Sequence, residues 1–346
     1  MMLPWRNMTV INQRRLANFK ANRRGYWSLW IIAILFVLSL MAEFIANDRP
    51  LLLSYKGTLR APVLFDYPET AFGGTFETPA NYNDPFLQNA IKADGWMMLP
   101  LIPFSYETLD FNLGQPAPAP PSARHWLGTD NQGRDVLARL IYGFRISMLF
   151  ALALTIVSSI IGVAAGAVQG YFGGKMDLIF QRFIEIWGGL PQLFILIIVA
   201  SIIAPGFWTL LGVLLLFSWT ALVSVVRAEF LRARNFDYVR AAKALGMSDV
   251  SVMARHILPN AVVATVTFLP FVLSGAVVAL TSLDFLGLGM PPGSASLGEL
   301  LRQGKENLQA PWLGFTGFLA IAGMLTLLVF VGEAVRDALD PRKTFA

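Results

Sequence analysis

The sequence predicts an all-α integral membrane protein with six transmembrane helices and an irregular insertion on the outer face. Three observations carry that expectation. Hydrophobic residues make up 55% of the 346-residue chain and charged residues 14%, against about 25% charged in a soluble domain. Six apolar runs reach or approach the ~20 residues that cross a bilayer core of ~30 Å. Basic side chains gather in two segments an even number of runs apart, so both fall on one side. With a mean hydropathy of +0.56, ordinary soluble and disordered classes are excluded. The net charge of +5 sits in these loops and is not a nucleic-acid signature. There is no cysteine, hence no disulfide, thiolate nucleophile or cysteine-based metal site, and the two histidines, His125 and His256, lie far apart.

Residues 1–26 form the basic N-terminus, with Arg6, Arg14, Arg15, Lys20, Arg23 and Arg24 and no acid up to residue 24, and are expected in the cytoplasm. The first span is read at 27–45. It lacks a small-x-small cleavage site and is longer than a signal-peptide apolar region, so it is expected to be a retained anchor. Residues 46–126 form a periplasmic insertion. From position 47 it holds five basic and eight acidic side chains, 11 prolines and 12 aromatics. That proline density excludes long helices and central strands. Pro116–Pro121 is expected to be a stiff polyproline II strut, and the aromatics suggest a small packed cap. Residues 127–346 form the five-helix core. Val136, Leu137, Leu140, Ile141 and Phe144 share a helical face, as in a helix lying in the outer interface before the second span, read as a structural elbow.

The remaining spans are read at 146–168, 191–203, 207–226, 261–283 and 315–331. The third, at 13 residues, is too short alone and is expected to continue backwards into an amphipathic helix starting near Asp177. Glu43, at a span end, is the one ionisable side chain in all six, which leaves no mid-membrane proton relay or ion-coupling carboxylate. Asp177, Arg182 and Glu185 are read as intrahelical and interfacial pairs; Pro270 is either a gating hinge or a static kink. The run Gly170, Gly173, Gly174, Lys175, Met176 has neither the spacing nor the Ser/Thr of a phosphate loop and reads as a tight turn ending the second span.

The most informative stretch is the basic loop 228–260, net +2. It predicts two short helices around a sharp turn. Ala241, Ala242 and Ala244 favour helix. Gly246 suits the left-handed position that ends it. Ser248 caps the next helix with Asp249 in its first turn, and Pro259 ends that helix by disfavouring αR at Leu258. Small residues let a partner's surface approach the backbone closely, although an unpartnered helical hairpin has the same composition.

This loop resembles the EAA loop of ABC importer permeases: Glu-Ala-Ala, three residues, Gly, nine residues, then Ile-x-Leu-Pro. Ala241, Ala242, Gly246, Leu258 and Pro259 keep the spacing, with Arg240 for the Glu and His256 for the first Ile. Both departures, within Arg255-His256-Ile257-Leu258-Pro259-Asn260, are similar to the peptide/nickel branch. Leu127–Asp130, Gly133–Arg139, Gly143–Ser147, Gly170–Gly174, Phe285–Gly289 and Arg336–Pro341 also resemble the C-type subunit of oligopeptide/dipeptide permeases, over roughly residues 124–343. Leu280, Asp284 and Leu297 depart from that branch, where Glu, Ser and Trp are usual.

The resemblance implies the type I ABC importer permease fold and a subunit, not an enzyme, with no cofactor and no metal. Its implied partners are a homologous second permease, ATP-binding subunits as one fused chain or two, a periplasmic substrate-binding protein and the lipid bilayer. Coupling to the ATPases would run through Arg240, Ala241, Ala242, Leu245, Gly246, Ile257, Leu258 and Pro259. Both termini would be cytoplasmic in a bacterial inner membrane. The cargo would be peptides, including peptide-like antibiotics such as microcin C; nickel, a sugar, or a carrier or channel without ATP remain as alternatives. An intramembrane hydrolase lacks support, because both histidines lie outside the spans and no cysteine exists.

Overall fold

The computed structural model describes residues 10–340; Arg6 and Pro341 lie outside the described residues. Helix α1 (Val10–Ala21) meets α2 (Arg23–Leu40) at Asn22, whose side chain accepts a hydrogen bond from the Gly25 amide and caps α2. The first span bends at Met41 before the short α3 (Ala42–Ile45).

The insertion is a packed cap, as expected, but it contains a sheet. Strand β1 (Leu52–Tyr55) lies centrally between β2 (Thr58–Arg60) and β3 (Gly95–Met98), antiparallel to both. The proline rule fails here for a local reason: the residues between Pro50 and Pro62 form a proline-free window long enough for a hairpin. Lys56 and Gly57 both take positive φ, 49° and 75°, as a two-residue hairpin turn requires. Helix α4 (Pro85–Asp94), capped by Asp84, closes a small core of Leu53, Tyr55, Phe72, Tyr82, Leu87 and Ile91. Pro116–Pro121 has a cis Ala117–Pro118 bond and is not an unbroken strut.

Helix α5 (Val136–Phe172) is 37 residues long, about 55 Å at 1.5 Å per residue. The interfacial elbow expected at 136–145 is therefore its first turns, continuous with the second span. Buried ion pairs hold this end of α5, and the sequence pattern did not show them. Arg139 is fully buried and donates to Glu299 at 2.7 Å and to the Ser294 carbonyl at 2.8 Å. Arg134 donates to Asp130 at 2.7 Å. These carboxylates are what makes the burial of two guanidinium groups tolerable.

Helix α6 (Gly174–Gly188) and α7 (Gln192–Ile202) form the third span, bent by 67° at the break near Pro191 rather than running straight. Helices α8 (Phe207–Ser218) and α9 (Thr220–Ala233) make the fourth. After α10 (Asp237–Ala244) and α11 (Asp249–Val252), a π-turn at Met253–Ile257 leads straight into α12 (Leu258–Phe285). Helix α13 (Leu297–Glu306) lies before the last span, α14 (Pro311–Leu339). Among the described residues, five helices are long and apolar enough to cross a membrane, six if the bent pair counts as one span. The principal core joins α5, α8, α12 and α14 through residues such as Phe150, Leu154, Leu214, Val277, Leu280 and Leu328.

Glycines set the closest approach. A Cβ on Gly162, Gly166 or Gly170 of α5 would stand 2.4, 2.7 or 2.5 Å from the carbonyls of Trp219, Val223 and Arg227. The small-residue stripe thus lets α5 and α9 pack backbone to backbone. Gly170 belongs to that stripe, while Gly173 and Gly174, both at positive φ, make the turn. Asp177 does not pair within its helix. It accepts both Nε (2.5 Å) and Nη2 (2.7 Å) of Arg227 on α9, whereas Arg182 and Glu185 do pair along α6. Pro270 lies inside α12.

The three departures from the branch pattern are all buried. Leu280 and Leu297 sit in the core, and Asp284 accepts from the Met290 amide (2.7 Å) and the Ser296 hydroxyl (2.6 Å), tying down the Phe285–Gly289 turn.

Candidate functional site

The basic loop forms a compact two-helix unit at one end of the bundle. Helix α10 ends in a Schellman motif: the Gly246 amide donates to Lys243 O (2.9 Å) and the Met247 amide to Ala242 O (3.2 Å), with Gly246 at φ +81°. Ser248 then caps α11, its hydroxyl accepting from the Ser251 amide. Both termini of the turn follow the sequence expectation. The role given to Pro259 does not. Leu258 is αR, and Pro259 sits in the first turn of α12. The chain continues through the π-turn, in which the Leu258 amide bonds back to Met253 O, and proline is tolerated at Pro259 because the first turn of a helix does not need its N–H.

The eight predicted residues divide by face. Ala242 and Ile257 point inward, joining Val239, Val252 and Ala261 in a cluster with Tyr171 of α5 and Val226 and Phe230 of α9. Leu258 packs partly against the same cluster. Arg240, Ala241, Leu245 and Gly246 are exposed together on α10 and its cap; Pro259 is exposed on α12. Leu245 is 84% exposed, an apolar side chain held out into solvent at the tip, and Val250 is exposed beside it. A Cβ on Gly246 would meet nothing within 4 Å, so its surroundings are open and only its φ demands glycine.

One set of contacts was invisible from the loop alone. The Tyr171 hydroxyl donates to Asp249 at 2.5 Å, Lys243 Nζ lies 3.3 Å from Asp249, and the same ammonium sits 4.6 Å from the Tyr171 ring centre. The hydrogen bond to Tyr171 first, and Asp249 with it, raises the Lys243 pKa. Arg234 Nη1 adds a bond to the Tyr171 carbonyl. These partners lie more than 60 positions from Tyr171, beyond any local periodicity. They fasten the exposed helix to the end of α5 and to Arg234 just beyond α9.

Among the described residues, no group of three or more His, Cys, Asp and Glu side chains is placed to hold a metal ion. At the opposite end of the bundle, His125 is buried between Asp135 (Nδ1, 2.8 Å) and Asp110 (Nε2, 3.0 Å), under the Phe104 ring. Burial alone would lower the imidazole pKa; the bonds to Asp135 and Asp110 outweigh it, and the net shift is upward.

The fold on the page is an α-helical membrane bundle with an exposed, glycine-capped helix pair at one end. Residues 158–345 match the family described as "Binding-protein-dependent transport system inner membrane component", and the chain belongs to that family of ABC transporter permeases. It is 59% identical to the "Peptidoglycan transport system permease protein YejE" of Agrobacterium fabrum, covering 99% of this chain and 95% of that one. It is 58% identical to the "Inner membrane ABC transporter permease protein YejE" of Escherichia coli, over 97% and 98%. The "Oligopeptide transport system permease protein OppC" of Lactococcus lactis IL1403 is 35% identical, over 68% and 81%. Among solved structures, the inward-facing MetNI methionine ABC transporter shares 15% identity with a TM-score of 0.47, covering 58% of this chain and 96% of that chain.

Proposed function

We propose that this chain is the permease subunit of an ATP-driven peptide importer, coupled to its ATPases through the exposed face of α10. The observation that carries the coupling is the position of Arg240, Ala241, Leu245 and Gly246: outward on one surface, while Ala242 and Ile257 anchor the same unit to α5 and α9. ATP-driven closure of the ATPases would pull on α10 and rock the spans between two states. Hydrolysis belongs to the partner subunits, as one fused chain or two. A homologous second permease completes the pathway, and a periplasmic binding protein delivers cargo to the cap.

Peptide cargo is supported by the names of the relatives, which read peptidoglycan and oligopeptide transport. Peptide-like antibiotics such as microcin C fall in the same chemical class. The cytoplasm holds both termini and the α10–α11 unit. In support, Arg15 of α1, Phe236 and Ile257 of the loop, and Arg336 and Leu339 of α14 all line one cavity of about 630 Å³ at the same end of the bundle. The acidic cap sits at the other end, where Glu43 meets Arg145 at 2.8 Å.

The test is uptake of a labelled tripeptide in cells carrying Leu245→Asp or Gly246→Trp. The first changes a side chain without packing partners; the second puts a bulky residue at a positive φ. Both are expected to lower uptake at least tenfold with the chain still in the membrane. Normal uptake at normal abundance would sink the coupling assignment.

A further inference from the structure

A cavity of about 420 Å³ lies where the second, third, fourth and fifth spans converge, within the range of about 300–1,000 Å³ typical of small-ligand sites. Its walls include Leu154 of α5, Gln192 of α7, Ser218 of α8, and Phe268 and Phe271 of α12, and none of the lining side chains is ionisable. Three of these spans are interrupted here, each near its middle. The third bends by 67° just before Gln192. The fourth passes from α8 to α9 at Trp219, where the Leu216 carbonyl accepts two indole N–H groups, Trp187 Nε1 at 2.7 Å and Trp219 Nε1 at 2.9 Å. In the fifth, Pro270 has no amide to give the Val266 carbonyl. Interrupted backbone at membrane depth is stable only where it is buried in protein or lines a wet cavity. Broken helices that face one cavity are how transporters build sites for their cargo.

A second observation is independent of the backbone. Gln192 is one of two polar side chains in α7, and the other, Ser201, bonds the Ile198 carbonyl at 2.7 Å. Among the described residues, the half-buried side-chain amide of Gln192 has no hydrogen-bond partner. Its surroundings in the cavity are mostly apolar. An amide left unpaired in such a medium is costly, and water or polar cargo in the cavity is what offsets the cost. Ser218 donates to the Leu214 carbonyl at 2.8 Å and keeps its acceptor capacity.

We propose that this cavity is a cargo site for the uncharged backbone of a peptide, the Gln192 side chain donating to a peptide carbonyl and accepting from a peptide N–H. A side-chain amide carries the same donor and acceptor as a peptide group, so the pair forms whatever the cargo sequence. The walls hold no counter-charge for a charged cargo side chain, so the site selects backbone and not charge. This inference rests on the peptide-importer reading and adds to it a residue that meets the cargo inside the membrane.

The experiment is ATP-driven uptake by proteoliposomes of the complete importer, with labelled Ala-Ala-Ala, Ala-Lys-Ala and Ala-Glu-Ala as probes. Gln192→Leu is expected to lower Ala-Ala-Ala uptake at least fivefold. It should leave thermal stability equal or higher, because it removes an unpaired amide. Gln192→Glu is expected to raise the uptake ratio of Ala-Lys-Ala to Ala-Glu-Ala at least fivefold over the native chain, a change that a structural glutamine would not produce. Gln192→Cys, in a chain with no other cysteine, should react in the assembled importer with a water-soluble methanethiosulfonate. The proposal is overturned if Gln192→Leu transports at the native rate, or if Gln192→Glu leaves the ratio unchanged. It is also overturned if the cysteine does not react, which would mean that a partner subunit covers the position. The native importer separates the two readings: uptake of tripeptides with unchanged variants removes the cargo site alone, and no uptake of any probe removes the peptide importer and the site with it.

Discussion

At the scale of single residues, the same ionisable chemistry serves opposite ends of the molecule differently. His125 sits between two carboxylates that favour its imidazolium form, so its folded pKa lies above the unfolded value of about 6.5. A raised folded pKa means the contribution is complete below that unfolded value and is lost as pH rises through the folded one. Asp110, Asp135 and Arg124 are the charged groups that act there, Arg124 bonding Asp110 at 3.0 Å. Protection of the amides of residues 119–135, measured as exchange relative to the intrinsic rate at each pH, is therefore expected to be higher at pH 6 than at pH 9, and the His125→Gln chain should lose that difference. Equal pH dependence in both chains would remove His125 as the cause. Legibility at this scale was uneven. The turn residues Gly246 and Ser248 could be read because capping is local, decided by φ and by one side-chain oxygen within a few positions. Arg139 lies outside the apolar set Val136, Leu137, Leu140, Ile141 and Phe144, yet it is fully buried, held by Glu299, a partner 160 positions away.

Elements were legible where one periodicity governed them and misread where two neighbours competed. The apolar runs located every span, but α5 absorbed the expected elbow because Asp135 caps the helix early, with the Ala138 amide at 2.8 Å, and nothing interrupts it before Gly173. Pro259 was expected to stop a helix that the π-turn carries past it. The glycine stripe of α5 was not legible, and Gly170 was assigned to the turn, since the stripe's function is set by the α9 carbonyls and not by α5 itself. That contact gives a direct prediction. A side chain at Gly166 must displace the Val223 carbonyl and the Val226 Cβ, 2.7 and 2.9 Å from the new Cβ. Gly166→Val should therefore cost about 1–3 kcal/mol by overpacking, read as a lower detergent unfolding temperature. Gly212, with open space around it, should accept alanine with little change. Equal losses at the two positions would contradict close α5–α9 packing as the cause.

For the whole molecule, the account places a basic, partner-binding end opposite an acidic, capped end, with no ionisable network crossing between them. The absence of native cysteine makes this testable without background. Single cysteines at Leu245 and Val250 should react with a membrane-impermeant maleimide only after the cells are opened, and a cysteine at Phe111 on the cap should react in intact cells. The reverse pattern would invert the topology. Fold class was readable because hydropathy is a sum over many residues. The sheet in the cap, the outer ion cluster and the Tyr171–Asp249–Lys243 contact were not, because each joins segments far apart in sequence. The central claim is that the exposed face of α10 docks an ATPase and transmits its motion, and one measurement reaches it most directly. A cysteine at Leu245, carrying a heterobifunctional cysteine-to-lysine crosslinker, would be tested in native membranes, with Phe111→Cys as the control. The account predicts a crosslink from position 245 to an ATP-binding subunit, identified by mass spectrometry, and none from 111. Position 245 labelled as freely in the native membrane as in the purified chain, with no ATPase crosslinked to it, would contradict the account.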